Sequence, residues 1–258
     1  TSATLTVGDE FNYFSQRMGI EDADSCLLDS PFDYEHQSLL CVPRNLPDTS
    51  VYQRATQLAE RLLPVIEKVP GGCFFLCTSY HSVNQIAQVL RDKLDRTVLV
   101  QGDDNKQRIL ADFVADGHAV LVATSSFWEG VDVRGAALSC VIIDKLPFTS
   151  PDEPLLKARM EDCRMQGGDP FRELQLPEAV IVLKQGVGRL IRDYQDRGIL
   201  ILCDPRLVNK PYGAAFLKSL PPIPRCRDLA RLNEFWTLPV SELVALNEEI
   251  ELNENSGD

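Results

Sequence analysis

Six short apolar runs alternate along the chain with longer segments whose apolar residues recur at helical spacing. The runs cover residues 39–42, 73–77, 98–101, 119–124, 139–144 and 199–203. Continuous apolar runs of this length suit strands that helices cover on both faces, and parallel sheets contain such strands. The alternation therefore predicts an α/β fold, with a parallel sheet and helices on both of its faces.

The segments between these runs predict the helices. Segment 51–69 has one apolar face before a Pro-Gly-Gly stop, formed by Ala55, Leu58, Ala59, Leu62, Leu63 and Ile66. The next two helices have inner faces formed by Val83, Ile86, Ala87, Leu90 and Leu94, and by Ile109, Leu110, Phe113 and Val114. We expect a helical insertion at 151–176, broken at two adjacent glycines, and short helices at 212–220 and 228–236.

Composition excludes several classes of protein. The 258 residues include eight cysteines and three histidines, none at the spacing of metal ligands, so no metal site is expected. Scattered cysteines in apolar runs predict reduced, structural thiols and a cytoplasmic protein. No apolar run approaches the ~20 residues that span a bilayer, so no membrane contact is expected. The chain begins with Thr1 and not Met, which suggests a piece of a longer protein.

The segment 184–204 carries an unusual polar pattern before the last apolar run. If it begins as a helix, Gln185, Gly188, Arg189 and Arg192 fall within about a quarter-turn of one another. The opposite face would be apolar, formed by Val180, Leu183, Val187, Leu190, Ile191 and Tyr194. Two guanidinium groups on one side suit a phosphate, because each can bond it with two N–H groups and neither loses its proton.

An ordinary solvated helix face, with Arg189 and Arg192 paired to Asp193 and Asp196, explains the same residues without a ligand. The order Gln-x-x-Gly-Arg-x-x-Arg, followed by Gly198 and an apolar strand, is more specific. It resembles motif VI of the superfamily 2 helicases, particularly the XPD/DinG-like group of 5′-to-3′ DNA helicases.

Three further segments resemble motifs of the same group. The opening TSATL resembles motif III, which joins the nucleotide site of the first motor domain to the second. The string FFLCTSY resembles motif IV, and by that resemblance Thr78, Ser79 and Tyr80 contact the DNA backbone. The hydroxyl groups of this string are equally suited to cap the helix that follows.

The string SFWEGVDV, with VLVAT before it and LPF after it, resembles motif V of this group. The resemblance places the nucleotide-coupling contacts at Glu129, Gly130 and Asp132. It places the DNA contacts at Ser125, Ser126 and Trp128. An exposed aromatic ring there would stack a base, although burial of both rings of Phe127 and Trp128 in the core is the alternative.

The resemblance implies a second RecA-like motor domain, with ATP bound at the interface between this domain and a first motor domain. By resemblance, Arg192 is the arginine finger, Arg189 a second γ-phosphate contact and Gln185 a sensor, with Gly188 also at the nucleotide. The implied partners are single-stranded DNA and the protein's own N-terminal motor domain.

The motifs of the first motor domain are missing from the sequence. It has no G-x-x-x-x-G-K-[ST] loop, no DEAH-type acidic box and no clustered cysteines for an iron–sulfur centre. The ATP, Mg²⁺ and 4Fe-4S cluster of the full-length enzyme would therefore be held upstream. We expect this chain alone to bind none of them and to hydrolyse no ATP. The absence of a glycine-rich phosphate loop after the first strand also disfavours an unrelated α/β nucleotide-binding enzyme.

The C-terminal region presents a separate choice. Residues 1–236 are expected to form the domain, and residues 237–258 a tail that carries six acidic residues and no basic one. Phe235 and Trp236, just before this tail, could anchor a replication or repair protein, which would make the chain a docking module. The alternative is that this region caps the domain's own core.

Overall fold

A single parallel sheet organises the computed structural model, which describes residues 5–124, 127, 133, 137–239, 242 and 246. Within these residues the sheet has seven strands in the order β3-β4-β2-β5-β6-β1-β7, and every neighbouring pair is parallel. The strands are β1 Ser38–Cys41, β2 Cys73–Cys77, β3 Val98–Val100, β4 Val120–Thr124, β5 Cys140–Ile143, β6 Gly198–Leu202 and β7 Arg225–Cys226.

The predicted α/β class is confirmed, and so are all six predicted strands, each within two residues of its expected ends. The run at 73–77 matches β2 at both ends. The short edge strand β7 was not predicted, because two residues after a proline-rich turn carry no strand pattern.

Helices pack on both faces of the sheet. The longer ones are α3 Arg54–Ile66, α4 Tyr80–Lys93, α5 Lys106–Asp116, α6 Pro154–Met165, α7 Leu176–Val187 and α10 Leu229–Thr237. The shorter ones are α1 Asn12–Met18, α2 Tyr34–Gln37, α8 Arg206–Asn209 and α9 Gly213–Ser219. Helices α3, α4 and α10 bury their apolar residues on one face, with Phe75 and Ile142 of the sheet. Helices α5, α7 and α9 cover the other face, where Phe74 and Val141 point.

Local sequence signals explain where several helices begin and end. The side chain of Asn105 accepts the backbone N–H of Arg108 at the start of α5, and Gly117 ends that helix with a φ of 68°. Glu153 accepts the N–H of Leu156 at the start of α6. The predicted insertion is α6 followed by a π-helical turn, Phe171–Gln175, which runs directly into α7.

Two residues predicted to be buried are exposed. Val114 is 50% exposed, because α5 packs on the sheet through Ile109 and Phe113, with Leu110 partly buried beside them. Tyr194 is 72% exposed, because the chain has already left the helix at that position. The cysteines of the apolar runs, by contrast, are buried as predicted: Cys73, Cys77, Cys140 and Cys203. No helix within the described residues is both long and apolar enough to cross a bilayer.

Candidate functional site

Polar groups gather at the carboxyl edge of the sheet, where the parallel strands end. Thr78 and Ser79 follow β2, Thr124 ends β4, Asp144 follows β5 and Asp204 lies just beyond β6. The carboxyl ends of parallel strands meet at one edge, and open α/β sheets bind their ligands there. This edge contains the residues that resemble motif IV and the residue that precedes motif V.

A buried arginine holds the strand ends together at this edge. Arg54, the first residue of α3, is 2% exposed. Its Nη2 donates to the backbone carbonyls of Asp144 at 2.7 Å and Cys203 at 2.5 Å, and its Nε donates to the carbonyl of Pro47 at 3.3 Å. One guanidinium therefore links the ends of β5 and β6 to the start of α3.

The carboxyl group of Asp144 lies in the same place and is 1% exposed. Its Oδ1 accepts the backbone N–H of Thr78 at 3.1 Å. Burial raises the pKa of Asp144 from 3.8 to about 6, although the positive charges of Arg54 and Lys145 oppose the shift. The first residue after β2 is thus tied to the first residue after β5.

A second buried carboxylate, Asp204, fixes the loops after β5 and β6. Its Oδ2 accepts the backbone N–H of Leu146 at 2.8 Å and the Nη2 of Arg206 at 2.6 Å. Bonding to Asp204 raises the pKa of the Arg206 guanidinium. The guanidinium carbon also lies 5.3 Å from the ring centroid of Phe148. These contacts hold the LPF segment against the strand ends.

The residues that resemble motif IV begin helix α4. The side chain of Ser79 accepts the N–H of Ser82 at 3.2 Å, so Ser79 is the helix cap that the sequence allowed as an alternative. Thr78 is exposed, and Tyr80 is 58% exposed with its hydroxyl oxygen 2.7 Å from the side chain of Gln101. Thr78, Ser79 and Tyr80 therefore lie on the accessible surface of the carboxyl edge.

The prediction that one helix face carries Gln185, Gly188, Arg189 and Arg192 is wrong. Helix α7 ends at Val187, with Gly188 as its C-cap, and both arginines lie in the loop 188–197, which we call the arginine loop. The loop ends at Arg197, because Gly198 is already the first residue of β6. The apolar face itself is confirmed for Val180, Leu183, Val187, Leu190 and Ile191, all buried.

The arginine loop is not helical because a buried carboxylate accepts hydrogen bonds from its backbone N–H groups. Asp196 is 7% exposed, and its Oδ2 accepts the N–H groups of Arg192 at 2.7 Å and Asp193 at 2.8 Å. The Nε2 of Gln37 donates to the carbonyls of Asp193 at 2.8 Å and Asp196 at 3.0 Å. The apolar pattern of the sequence could not predict this loop, because Leu190 and Ile191 are apolar and a loop can bury both as well as a helix can.

The structure places the arginine loop and the motif IV residues at opposite edges of the sheet. The loop precedes β6 and therefore lies at the amino edge, whereas Thr78, Ser79 and Tyr80 follow β2 at the carboxyl edge. Arg189 and Arg192 are both half-buried. All six predicted contacts of the segment that resembles motif V lie outside the described residues: Ser125, Ser126, Trp128, Glu129, Gly130 and Asp132.

The start of the described chain packs against helix α7. Lys184 Nζ donates to the backbone carbonyl and to the hydroxyl of Thr6, both at 3.0 Å, and Thr6 is 3% exposed. Burial lowers the pKa of Lys184. The segment that follows the motif III-like opening is therefore fixed to the helix that carries Gln185.

The C-terminal helix α10 closes the core on one face. Phe235 is fully buried, and its ring lies 4.9 Å from the guanidinium carbon of Arg197. Arg197 also donates to the carbonyls of Phe235 at 2.6 Å and Leu238 at 3.2 Å. Trp236 is half-buried, and Leu246 is buried in the same cluster. Of the two interpretations of this region, the burial favours the one in which it caps the domain's own core.

Sequence reasoning missed Arg54, Gln101, Asp144 and Asp204 as parts of the site. Arg54 looked like the polar start of an amphipathic helix, and Asp144 looked like the end of an apolar run. The available signal was position: polar residues directly after buried strands share one edge. Within the described residues no cluster of His, Cys, Asp and Glu could hold a metal ion.

Comparison with known proteins defines the class. Residues 62–223 match the helicase C-terminal domain family, and the chain belongs to that family. It is a RecA-like domain of the XPD/DinG-like group of superfamily 2, which confirms the resemblance seen in its motifs.

Individual relatives agree with this class. The chain is 62% identical over 241 residues to the ATP-dependent DNA helicase YoaA of Escherichia coli, covering 93% of this chain and 38% of that protein. It is 36% identical over 228 residues to the ATP-dependent helicase DinG of Mycobacterium tuberculosis, covering 86% of this chain and 34% of that protein. The chain thus spans just over a third of the length of these relatives.

Solved structures show the same fold. An XPD helicase superposes with a TM-score of 0.56 at 19% identity, covering 74% of this chain and 35% of that chain. XPD in its apo form superposes with a TM-score of 0.57 at 19% identity, covering 74% of this chain and 40% of that chain.

Proposed function

We propose that this chain is the second motor domain of an ATP-dependent 5′-to-3′ DNA helicase. It would supply the arginine finger and part of the path for single-stranded DNA. The observation that supports this best is the arginine loop. Hydrogen bonds from Asp196 and Gln37 fix its backbone, and the loop carries Arg189 and Arg192, both half-buried. Its named relatives YoaA and DinG are ATP-dependent helicases.

In this proposal the arginine loop faces the nucleotide. ATP and Mg²⁺ would be held by an upstream motor domain, which would also carry the 4Fe-4S cluster. Arg192 would place its guanidinium at the γ-phosphate, Arg189 would make a second contact there, and Gln185 with Gly188 would line the same cleft. Permanently charged, planar groups suit this task because they neutralise charge that develops on a transferred phosphoryl group.

The carboxyl edge would face the DNA, through Thr78, Ser79, Tyr80 and the motif V residues Ser125, Ser126 and Trp128. Glu129, Gly130 and Asp132 would couple that contact to the nucleotide. The arginine loop and the motif IV residues lie at opposite edges of one sheet. Because Arg54 and Asp144 fasten the strand ends to each other, the sheet would move as a unit when the nucleotide cleft closes.

The alternative function is docking of a replication or repair protein through the C-terminal region. Of the two aromatic residues expected to contact such a partner, Phe235 does not fit this role. Phe235 is inaccessible to a partner in the folded domain, since it is fully buried and Arg197 covers its ring. We propose that α10 completes the motor domain, and that a partner would contact only Trp236 or the residues after it.

The test is reconstitution. The chain alone is expected to bind single-stranded DNA and to show no DNA-stimulated ATP hydrolysis. Joined to its upstream motor domain, it is expected to restore hydrolysis that neither part has alone. Hydrolysis by the isolated chain would overturn the proposal, because the sequence contains neither a G-x-x-x-x-G-K-[ST] phosphate loop nor a DEAH-type acidic box.

A further inference from the structure

Gln101 makes three hydrogen bonds that join the two segments assigned to DNA. It directly follows β3 at the carboxyl edge, and its side-chain Nε2 donates to the hydroxyl oxygen of Tyr80 at 2.7 Å. Its Oε1 accepts the backbone N–H of Thr124 at 2.7 Å and the hydroxyl of Thr124 at 2.9 Å. Tyr80 begins helix α4, and Thr124 ends β4 immediately before the motif V segment.

The chemistry of Thr124 fixes which end of the amide faces which partner. A backbone N–H can only donate, so the atom opposite it must be the oxygen of Gln101. The NH₂ group then faces Tyr80 and must donate to it. The phenol oxygen of Tyr80 is therefore an acceptor, and its own O–H hydrogen is directed away from Gln101. Within the described residues, no second hydrogen bond involves that hydroxyl.

The surroundings of Tyr80 favour an anion. Helix α4 has 14 residues, and its N-terminus carries the partial positive charge of the helix dipole. The two carboxylates of the loop after Gln101 are each paired with an arginine: Asp103 with Arg91, and Asp104 with Arg108 at 3.3 Å. Their negative charge is thus partly neutralised beside the exposed hydroxyl.

We propose that Gln101 is a positioning residue for DNA, which turns the hydroxyl of Tyr80 so that its hydrogen is presented to a phosphate oxygen of the strand. A phosphodiester oxygen only accepts hydrogen bonds, so a phenol whose hydrogen is already used would present lone pairs and repel it. The inference rests on the proposed function, which places Tyr80 at the DNA backbone. The direction of the hydrogen bond and the role of Gln101 are additional to it.

Two substitutions separate the contribution of the Tyr80 hydroxyl group from that of its orientation by Gln101. Tyr80→Phe removes the hydroxyl and keeps the ring. Gln101→Glu keeps a side chain of the same size with two acceptor oxygens, one for Thr124 and one for the O–H of Tyr80, so the contacts persist with the direction of the Tyr80 bond reversed. Gln107→Glu, at an exposed position in the first turn of α5, adds the same charge nearby and is the matched control.

The experiment measures binding of a fluorescein-labelled oligo-dT to the chain by anisotropy at one ionic strength. A hydrogen bond to a charged group is worth about 1.5–3 kcal/mol, so Tyr80→Phe is expected to raise Kd about tenfold or more. Gln101→Glu is expected to raise Kd by at least as much, and Gln107→Glu by less than about twofold. In the Tyr80→Phe background, Gln101→Glu is expected to add no more than the control substitution does.

The possible failures are distinguishable. If the wild-type chain binds no DNA, the DNA contacts of the proposed function fail, and this inference fails with them. If the chain binds but Tyr80→Phe or Gln101→Glu matches the control, the inference is overturned while the DNA-binding proposal stands. Should Gln101→Glu not fold, as judged by circular dichroism, Gln101→Met replaces it. Met cannot orient the hydroxyl, so it must weaken binding with Tyr80 present and leave the Tyr80→Phe background unchanged.

Discussion

The carboxylate of Asp196 is the group on which the shape of the arginine loop depends most. A single oxygen, Oδ2, accepts the N–H groups of Arg192 at 2.7 Å and Asp193 at 2.8 Å, and the residue is 7% exposed. Asp196→Ala leaves two N–H groups without this acceptor. At about 1–1.5 kcal/mol each, since water reaches both neighbours, the loss is about 2–3 kcal/mol of unfolding free energy.

Asp196→Asn separates geometry from charge. The amide oxygen can occupy the position of Oδ2 and accept both N–H groups, but a neutral acceptor bonds more weakly than a carboxylate. We expect a loss of about 1 kcal/mol. Asp193→Ala is the control in the same loop, because Asp193 is exposed, and it should cost less than about 0.5 kcal/mol.

Urea denaturation of the three variants measures these differences, and amide hydrogen exchange over residues 188–197 shows whether the loop opens. In the two-domain protein, Asp196→Ala should also lower kcat while Asp196→Asn largely preserves it, since the finger would lose its support only in the first case. If Asp196→Ala costs no more than Asp193→Ala, Asp196 does not shape the loop and the reasoning is refuted.

Three further predictions concern the core and the carboxyl edge. Arg54→Met should destabilise the domain by about 3–5 kcal/mol, because three backbone carbonyls lose their donor and the buried Asp144 carboxyl group loses a neighbouring positive charge. Arg61→Met on the exposed side of α3 should cost about 1 kcal/mol or less, and urea denaturation compares the two. Because the pKa of Asp144 is raised from 3.8 to about 6 in the folded state, its protonation stabilises the fold at low pH, and this contribution disappears as pH rises through about 6. Wild type should therefore lose up to about 3 kcal/mol relative to Asp144→Asn between pH 4 and pH 7, and equal slopes of stability against pH would contradict the shift. If α10 belongs to the core, calorimetry should show a cost of about 3–5 kcal/mol for Phe235→Ala. Tyr194→Ala, which removes an exposed ring with one edge contact to Phe32, should cost about 1 kcal/mol or less.

The sheet was predictable because its strands are buried on both faces. Runs such as 73–77 and 119–123 contain no charged or strongly polar residue, and the intervening helices carry apolar faces at the right spacing. The family was predictable because the order of Gln185, Gly188, Arg189 and Arg192 is a chemical pattern that does not depend on knowing the local backbone.

The loop that carries the two arginines was not predictable from periodicity. Leu190 and Ile191 continue the apolar pattern of α7, and only the tertiary contacts of Asp196 and Gln37 show that the backbone turns away. The role of Gln101 was equally hidden. An amide after a short strand looks like an ordinary loop residue until Tyr80 and Thr124, at positions 21 and 23 residues away, are seen beside it.

The central claim is that Arg192 completes a nucleotide site whose other half lies on an upstream motor domain. The most direct measurement is kcat for ATP hydrolysis by the joined two-domain protein with saturating single-stranded DNA. Arg192→Ala should lower kcat by about 10³-fold or more. Arg172→Ala, which removes an exposed arginine from the π-helical turn before α7, should leave it unchanged. A kcat for Arg192→Ala within twofold of the wild type would contradict the claim.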